Sequence, residues 1–355
     1  MGGVGLVLAP RENPDLLGHE NTERELRRLA EGGRLPHALL LTGPRGIGKA
    51  TLAFRLARFL LAQPGDRADG GLAVDPASNT FRRVASGGHA DLLTVERAYD
   101  PRRRRRRSDI VVEDVREISS FMRLTAAEEG WRIVIVDGAE EMNRNAANAL
   151  LKILEEPPRR ALLLLVSHTP GQLLPTIRSR CRRCPLAALP QPLVLGLLGR
   201  YRPELESPGA EVLARLAEGS IGRAIELGDA GGLALYRSML DMLTQIPRLD
   251  IPALHAFADK LARPDAEDAY RASEALLSQF LARMVIKSVG GALAGHDLLP
   301  EEEEVMRPLA ARADPPRWAA LRDKIDRDFA NTDQLNLDRK QAILGAFFAV
   351  EELAR

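Results

Sequence analysis

Nine consecutive residues, Gly43, Pro44, Arg45, Gly46, Ile47, Gly48, Lys49, Ala50 and Thr51, carry the plainest chemical signal in the chain. They fit a phosphate-binding loop at Gly43, Gly48 and Lys49, and miss it at Ala50, where the pattern asks for Ser or Thr. In such a loop the glycines let backbone N–H groups surround a phosphate at a helix N-terminus, the lysine ammonium reaches the terminal phosphates, and the hydroxyl ligates Mg²⁺. Ala50 has no oxygen to give. Thr51 lies one residue on, roughly 100° round a helix of about 3.6 residues per turn, and is not an obvious replacement. ATP or ADP with Mg²⁺ is therefore the candidate ligand, and hydrolysis is a separate question.

The second half of such a site is a carboxylate at the end of a buried strand. Arg132-Ile133-Val134-Ile135-Val136-Asp137 has that form, with Asp137 placed to orient Mg²⁺. In active ATPases the next residue is often a Glu that activates water, whereas here it is Gly138. Glu140 and Glu141 come two and three residues later and would need unusual geometry to reach that water. Both gaps fall in one reaction, so the expectation is a phosphate-loop fold with little hydrolysis of its own. Ser167 and His168 close the last apolar strand, either beside a terminal phosphate or capping the turn before Pro170. Arg180, in Thr176-Ile177-Arg178-Ser179-Arg180-Cys181, has the planar fork of an arginine finger; a surface charge is the plainer reading of an arginine taken alone. Arg223, in Gly219-Ser220-Ile221-Gly222-Arg223-Ala224, either reaches a phosphate from a helical lid or lies on the surface.

These residues need elements to hold them. Thr22 and Glu25 form a capping-box pattern before a short helix ending near Gly32-Gly33. Ala38–Thr42 reads as a strand entering the loop, and Leu52, Leu56, Phe59 and Leu60 give the helix behind it. Asp91 to Val95 is a candidate strand, Arg132–Asp137 a buried one, followed by a helix that Pro157-Pro158 stops, then a strand over Ala161 to Val166. Apolar runs alternating with helices argue for a parallel sheet covered on both faces. After about Pro190 helical periodicities dominate, with Gly228–Gly232 as the expected hinge between a small helical unit and a larger one. Gln63–Gly88, rich in Gly, Ala and Asp, and Arg102–Arg107 read as irregular segments.

Leu150-Leu151-Lys152-Ile153-Leu154-Glu155-Glu156-Pro157-Pro158, with Ser179-Arg180-Cys181 behind it and Gly219-Ser220 further on, resembles the AAA+ subunits of the bacterial DNA polymerase III clamp loader. The resemblance is specific from about Pro10 to Leu227 and only architectural beyond. It implies an α/β AAA+ P-loop domain with a parallel sheet over 1–186, a small helical lid over 187–230, and an all-α C-terminal collar domain over 231–355. It also implies gamma or tau and delta subunits as partners, and action on the sliding clamp and primed DNA through the complex. Among these subunits Ala50 and Gly138 fit a rigid, non-hydrolysing kind whose Ser-Arg-Cys arginine, here Arg180, projects into a neighbour's ATP site. An active gamma-type motor, the alternative, would keep both the hydroxyl and the Glu, unless Thr51 and Glu140 or Glu141 replace them.

Composition sets the outer limits. A chain of 355 residues has room for about two or three domains. Charge is nearly balanced, 50 basic against 49 acidic residues, so no global field draws the chain to nucleic acid or membrane. The longest apolar runs are strand-sized, and a cytoplasmic protein without membrane contact is expected. Family members of this kind commonly carry four zinc-binding cysteines after the loop helix; Gln63–His89 has none, and His89 alone cannot replace them, so no zinc is expected. Cys181 and Cys184 are the only cysteines and form a poor metal or redox pair. The arginine run is expected at a solvated loop tip, with contact to DNA phosphates as the sharper reading.

Overall fold

The computed structural model describes residues 7–100, 105–123, 130–289 and 300–355. By its internal contacts the chain divides into two compact units, one ending at Pro190 and one running from Gln191 to Arg355.

The first unit is built on a five-stranded, wholly parallel sheet of β1 (Ala38–Thr42), β2 (Leu92–Val95), β3 (Arg132–Asp137), β4 (Ala161–Ser167) and β5 (Arg182–Pro185), in the order β2-β3-β4-β1-β5. Alternate side chains of the central strands go to opposite faces, as strand geometry requires. Leu39, Leu41, Ile133, Ile135, Leu162, Leu164 and Val166 pack on one side with α1 (Glu20–Glu31), α2 (Lys49–Leu61) and α3 (Asn79–Ala85). Leu40, Val134, Val136, Leu163 and Leu165 pack on the other with α4 (Val112–Arg123), α5 (Arg144–Glu155) and α6 (Pro175–Arg180). Two buried faces explain why these strands read as continuous apolar runs rather than alternating ones.

Four local expectations are corrected. The capping box at Thr22 and Glu25 does not form, because α1 starts three residues earlier, with His19 as its cap and no side-chain capping bond. Glu25 pairs instead with Arg182 at 2.6 Å. Arg182–Pro185 is a fifth strand that carried no strand signal, since it is a polar edge strand with only β1 beside it. Gln63–Gly88 is packed rather than irregular: Ser78 caps α3 by accepting from the Phe81 N–H, and Leu72, Val74, Phe81 and Val84 are all buried. Its apolar residues are spaced singly among Gly and Asp, so no periodic pattern announced them. Of the arginine run, 102–104 lie outside the described residues, but Arg105–Arg106 pairs with Tyr99–Asp100 in a short antiparallel ladder.

The second unit is all helical among its described residues: α7 (Gln191–Tyr201), α8 (Ser207–Leu216), α9 (Ile221–Asp229), α10 (Gly232–Thr244), α11 (Ile251–Leu261), α12 (Glu267–Ser288), α13 (Pro300–Ala310), α14 (Pro315–Leu335) and α15 (Arg339–Ala354). α7, α8 and α9 pack on one another, while α12 packs against α9, α10, α13 and α14. Arg283 of α12 is buried at the centre of a polar knot: its guanidinium donates to Glu302 of α13 and to the Tyr236 hydroxyl of α10 at 3.1 Å, and lies 3.4 Å from Glu218, just before α9. The segments expected as lid and collar are therefore tied together within one unit. No helix of the described residues is long and apolar enough to cross a membrane.

Candidate functional site

The register of the sheet assembles the site at the C-terminal ends of its strands, where α/β sheets bind ligands. Thr42 of β1 lies opposite Ser167 of β4, and Asp137 of β3 lies opposite Val166. With neighbouring strands about 4.8 Å apart, the loop after β1 and the carboxylate ending β3 stand roughly 10 Å apart, with the end of β4 between them.

Between β1 and α2 the chain turns through Gly43, Gly46 and Gly48, all with positive φ. Gly43 is required for a steric reason as well, since a Cβ there would sit 2.3 Å from the Leu186 carbonyl oxygen. The loop is held from outside by His19, whose Nε2 lies 2.8 Å from the Ile47 carbonyl oxygen. The strap before His19 is in turn clasped by α2: Arg58 donates to the carbonyls of Arg11 and Asn13, and Arg55 to that of Pro14 and to Glu23. Lys49 opens α2, is buried, and donates from Nζ to the carbonyls of Gly43, at 2.8 Å, and Pro44. Burial pulls its pKa down to about 8, against the opposing pull of Glu140 and Asp137. Ala50 follows, half-buried, and Thr51 is buried. Glycines that can wrap an anion, a lysine at their base and Asp137 across the gap fit a phosphate; the oxygen that would complete a Mg²⁺ ligand set is missing at Ala50.

Gly138 adopts the left-handed conformation, with φ 76°, and starts a single 3₁₀ turn over Ala139–Glu141. That turn directs Glu140 to the end of β4 and folds Glu141 back over Gly138, where a Cβ would sit 2.6 Å from Glu141 Oε2. Glu140 Oε1 accepts from the backbone N–H groups of His168, at 2.7 Å, and Thr169, at 3.2 Å. Burial alone would raise its carboxyl, but its own backbone N–H, that of His168 and the Ser167 hydroxyl outweigh it and hold the pKa low. Glu141 pairs with Arg97 at 2.7 Å, and burial leaves its pKa raised. His168 is pushed down to about 4 by burial and by the nearby Lys49, and so is neutral at physiological pH. Lys49, Asp137, Glu140 and His168 thus form one electrostatic cluster, to which Arg45 also contributes. Ser167 lies fully buried at its centre.

Arg180 is elsewhere in the same unit. It is the last residue of α6, exposed, with Nη2 2.8 Å from Glu155 Oε1 and Nη1 donating to the Thr176 carbonyl at 3.1 Å. Arg223 belongs to the helical unit and is not a surface charge: burial lowers its pKa, and its guanidinium lies 3.4 Å from the Ala275 carbonyl of α12. Cys181 packs into the core on the α4–α5 face and Cys184 against the opposite one. Burial raises their thiols to about 12 and about 11. Two cysteines on opposite faces of a sheet cannot pair, which removes the redox reading. His89 is buried, its Nδ1 accepting from the Asp91 N–H at 3.2 Å.

The sequence did not point to His19 or Arg97, it offered Glu155 only as part of the motif over 150–158 and with no role, and only spacing after the strand pointed to Glu140. All four act through partners distant in sequence, and no local pattern carries that information. A weak clue to Glu155 was its place at the end of a helix, where a nearby cation is favoured.

Residues 18–190 match the family model described as DNA polymerase III, delta subunit. The chain is 42% identical over 195 residues to DNA polymerase III subunit delta' of Pseudomonas aeruginosa, a match covering 53% of this chain and 55% of that protein. It is 30% identical over 226 residues to subunit tau of Escherichia coli, covering 62% of this chain and 33% of that protein. The chain thus spans about half, or less, of the length of these curated relatives. A DNA polymerase III gamma subunit-related protein from Thermotoga maritima superposes with a TM-score of 0.47 at 19% identity, over 93% of this chain and 99% of that one.

Proposed function

We propose, for a chain whose residues 18–190 match the family model described as DNA polymerase III, delta subunit, that it serves as the delta-prime-type subunit of a cytoplasmic clamp loader. In this reading it helps place the sliding clamp on primed DNA, alongside gamma or tau and delta subunits. It does so as an AAA+ domain over 1–186, a lid over 187–230 and a collar domain over 231–355. Its own loop, Gly43 to Thr51 with Asp137 and Ser167, holds ATP or ADP without appreciable turnover. Arg180 acts in trans, its fork neutralising charge on the phosphoryl group that a neighbouring subunit transfers to water.

The observation that carries the reading is the state of the groups that hydrolysis would need. Glu140 holds the end of β4 through Oε1, and Glu141 is paired with Arg97. Glu141 would have to leave Arg97 to act as a base, Glu140 is a weak one because its pKa is held low, and Ala50 offers Mg²⁺ no oxygen. A gamma-type motor lacks support at the same places. The direct test is ATP turnover by the isolated chain: negligible turnover is expected, and appreciable turnover abolished by Lys49→Ala would overturn the reading. The trans role is tested in a complex reconstituted with a gamma-type subunit, a delta subunit, clamp and primed DNA. Arg180→Ala is expected to lower its DNA-stimulated ATPase by about 10³-fold at the sites it completes, within the range known for arginine fingers.

A further inference from the structure

We infer that Glu155 is a positioning residue that parks Arg180 on its own subunit until a neighbour's phosphates draw it away, an inference that rests on the trans role just proposed. The backbone under Arg180 is fixed. Ile177, one turn before it, is fully buried, and Cys181, directly after it, lies in the core. Ser179 Oγ donates to the Thr176 carbonyl, closing the short helix on itself. The guanidinium also donates to that carbonyl through Nη1, an exposed contact that it gives up together with Glu155 when it swings out.

Where it rests is set by α5. Glu155 is the last residue of that helix and Glu156 its C-cap, so a carboxylate and the negative end of a helix dipole meet at one point. The Arg180 guanidinium sits there, 2.8 Å from Glu155 Oε1. The two side chains remain 37% and 49% exposed, and a pair so exposed shifts an equilibrium by no more than about fivefold. A triphosphate, with several charges and oxygens able to take both arms of the fork, outcompetes one carboxylate. The contact is thus strong enough to bias the arginine toward its own subunit and weak enough to yield on docking.

The test uses the reconstituted complex, with ATPase followed as the concentration of this chain is raised. Glu155→Gln is expected to lower the concentration giving half-maximal stimulation by about two- to fivefold. Glu155→Lys, which repels the arginine, should lower it at least as far. The gap between wild type and Glu155→Gln should narrow between 0.05 and 0.3 M salt, roughly as the Debye length shortens. In an Arg180→Ala background, complex formation followed by fluorescence anisotropy should be unaffected by Glu155→Gln. If Arg180→Ala cuts the rate but Glu155→Gln leaves the half-point unmoved or raises it, the parking role is wrong and the trans role stands. If Arg180→Ala changes nothing, both fall.

Discussion

Lys49 is the residue on which the loop's chemistry turns. Its folded pKa, about 8, is below its ordinary value, so between about pH 8 and 10.5 the folded chain holds fewer protons here than the unfolded one. The stability cost of burying the ammonium is therefore present below about pH 8 and is relieved as pH rises through that window. Phosphate binding should run the other way: affinity for a fluorescent ADP analogue, measured by anisotropy, should stay level to about pH 7.5 and then fall by up to about tenfold per pH unit. An affinity unchanged to pH 10 would mean the ammonium does not meet the ligand. Ala50→Thr restores the missing oxygen; it should strengthen Mg²⁺-dependent nucleotide binding several-fold by calorimetry while turnover stays negligible, because nothing is restored at Gly138. The near-miss at Ala50 and the gap at Gly138 were legible in the sequence, since each is an identity at a fixed offset. The engagement of Glu140 with β4 was not, because its partners lie 28 and 29 residues away and are backbone atoms.

Among the elements, the strands fared according to how deeply each is buried. β1, β3 and β4, covered on both faces, were legible almost to the residue, while β5 passed unseen because Arg182, Arg183 and Pro185 look like a loop. Yet β5 matters to the loop, for the chain leaving it places the Leu186 carbonyl against Gly43, and the Leu186 N–H donates to Thr42 at 2.8 Å. Gly43→Ala must push this edge away from β1. It should cost about 2 kcal/mol or more, since both the backbone conformation and the close approach are penalised, and lower the melting midpoint by roughly 4 to 8 °C. Differential scanning calorimetry would measure it, and a midpoint within 1 °C of wild type, well inside that estimate, would contradict the fit described here.

At the scale of the whole molecule, the helical half was legible as a class and opaque in its connections. Leu276, Leu277, Phe280, Leu281 and Met284 announced an apolar face on α12, but Arg283 within that run gave no hint that it is buried and paired. Arg283→Ala would remove the buried cation that faces Glu302 and should destabilise the helical unit by about 3 to 5 kcal/mol in urea unfolding. Replacing the pair together, as Arg283→Met with Glu302→Leu, should recover most of that loss. The two cysteines carry a last, practical consequence. They are the chain's entire thiol complement, Cys181 is buried and Cys184 half-buried, and both stay protonated well above neutral pH. Thiolate, not thiol, attacks maleimides, so little labelling of the native protein is expected. A single cysteine introduced at an exposed position can be labelled in the otherwise unaltered chain, which opens its movements within an assembly to fluorescence.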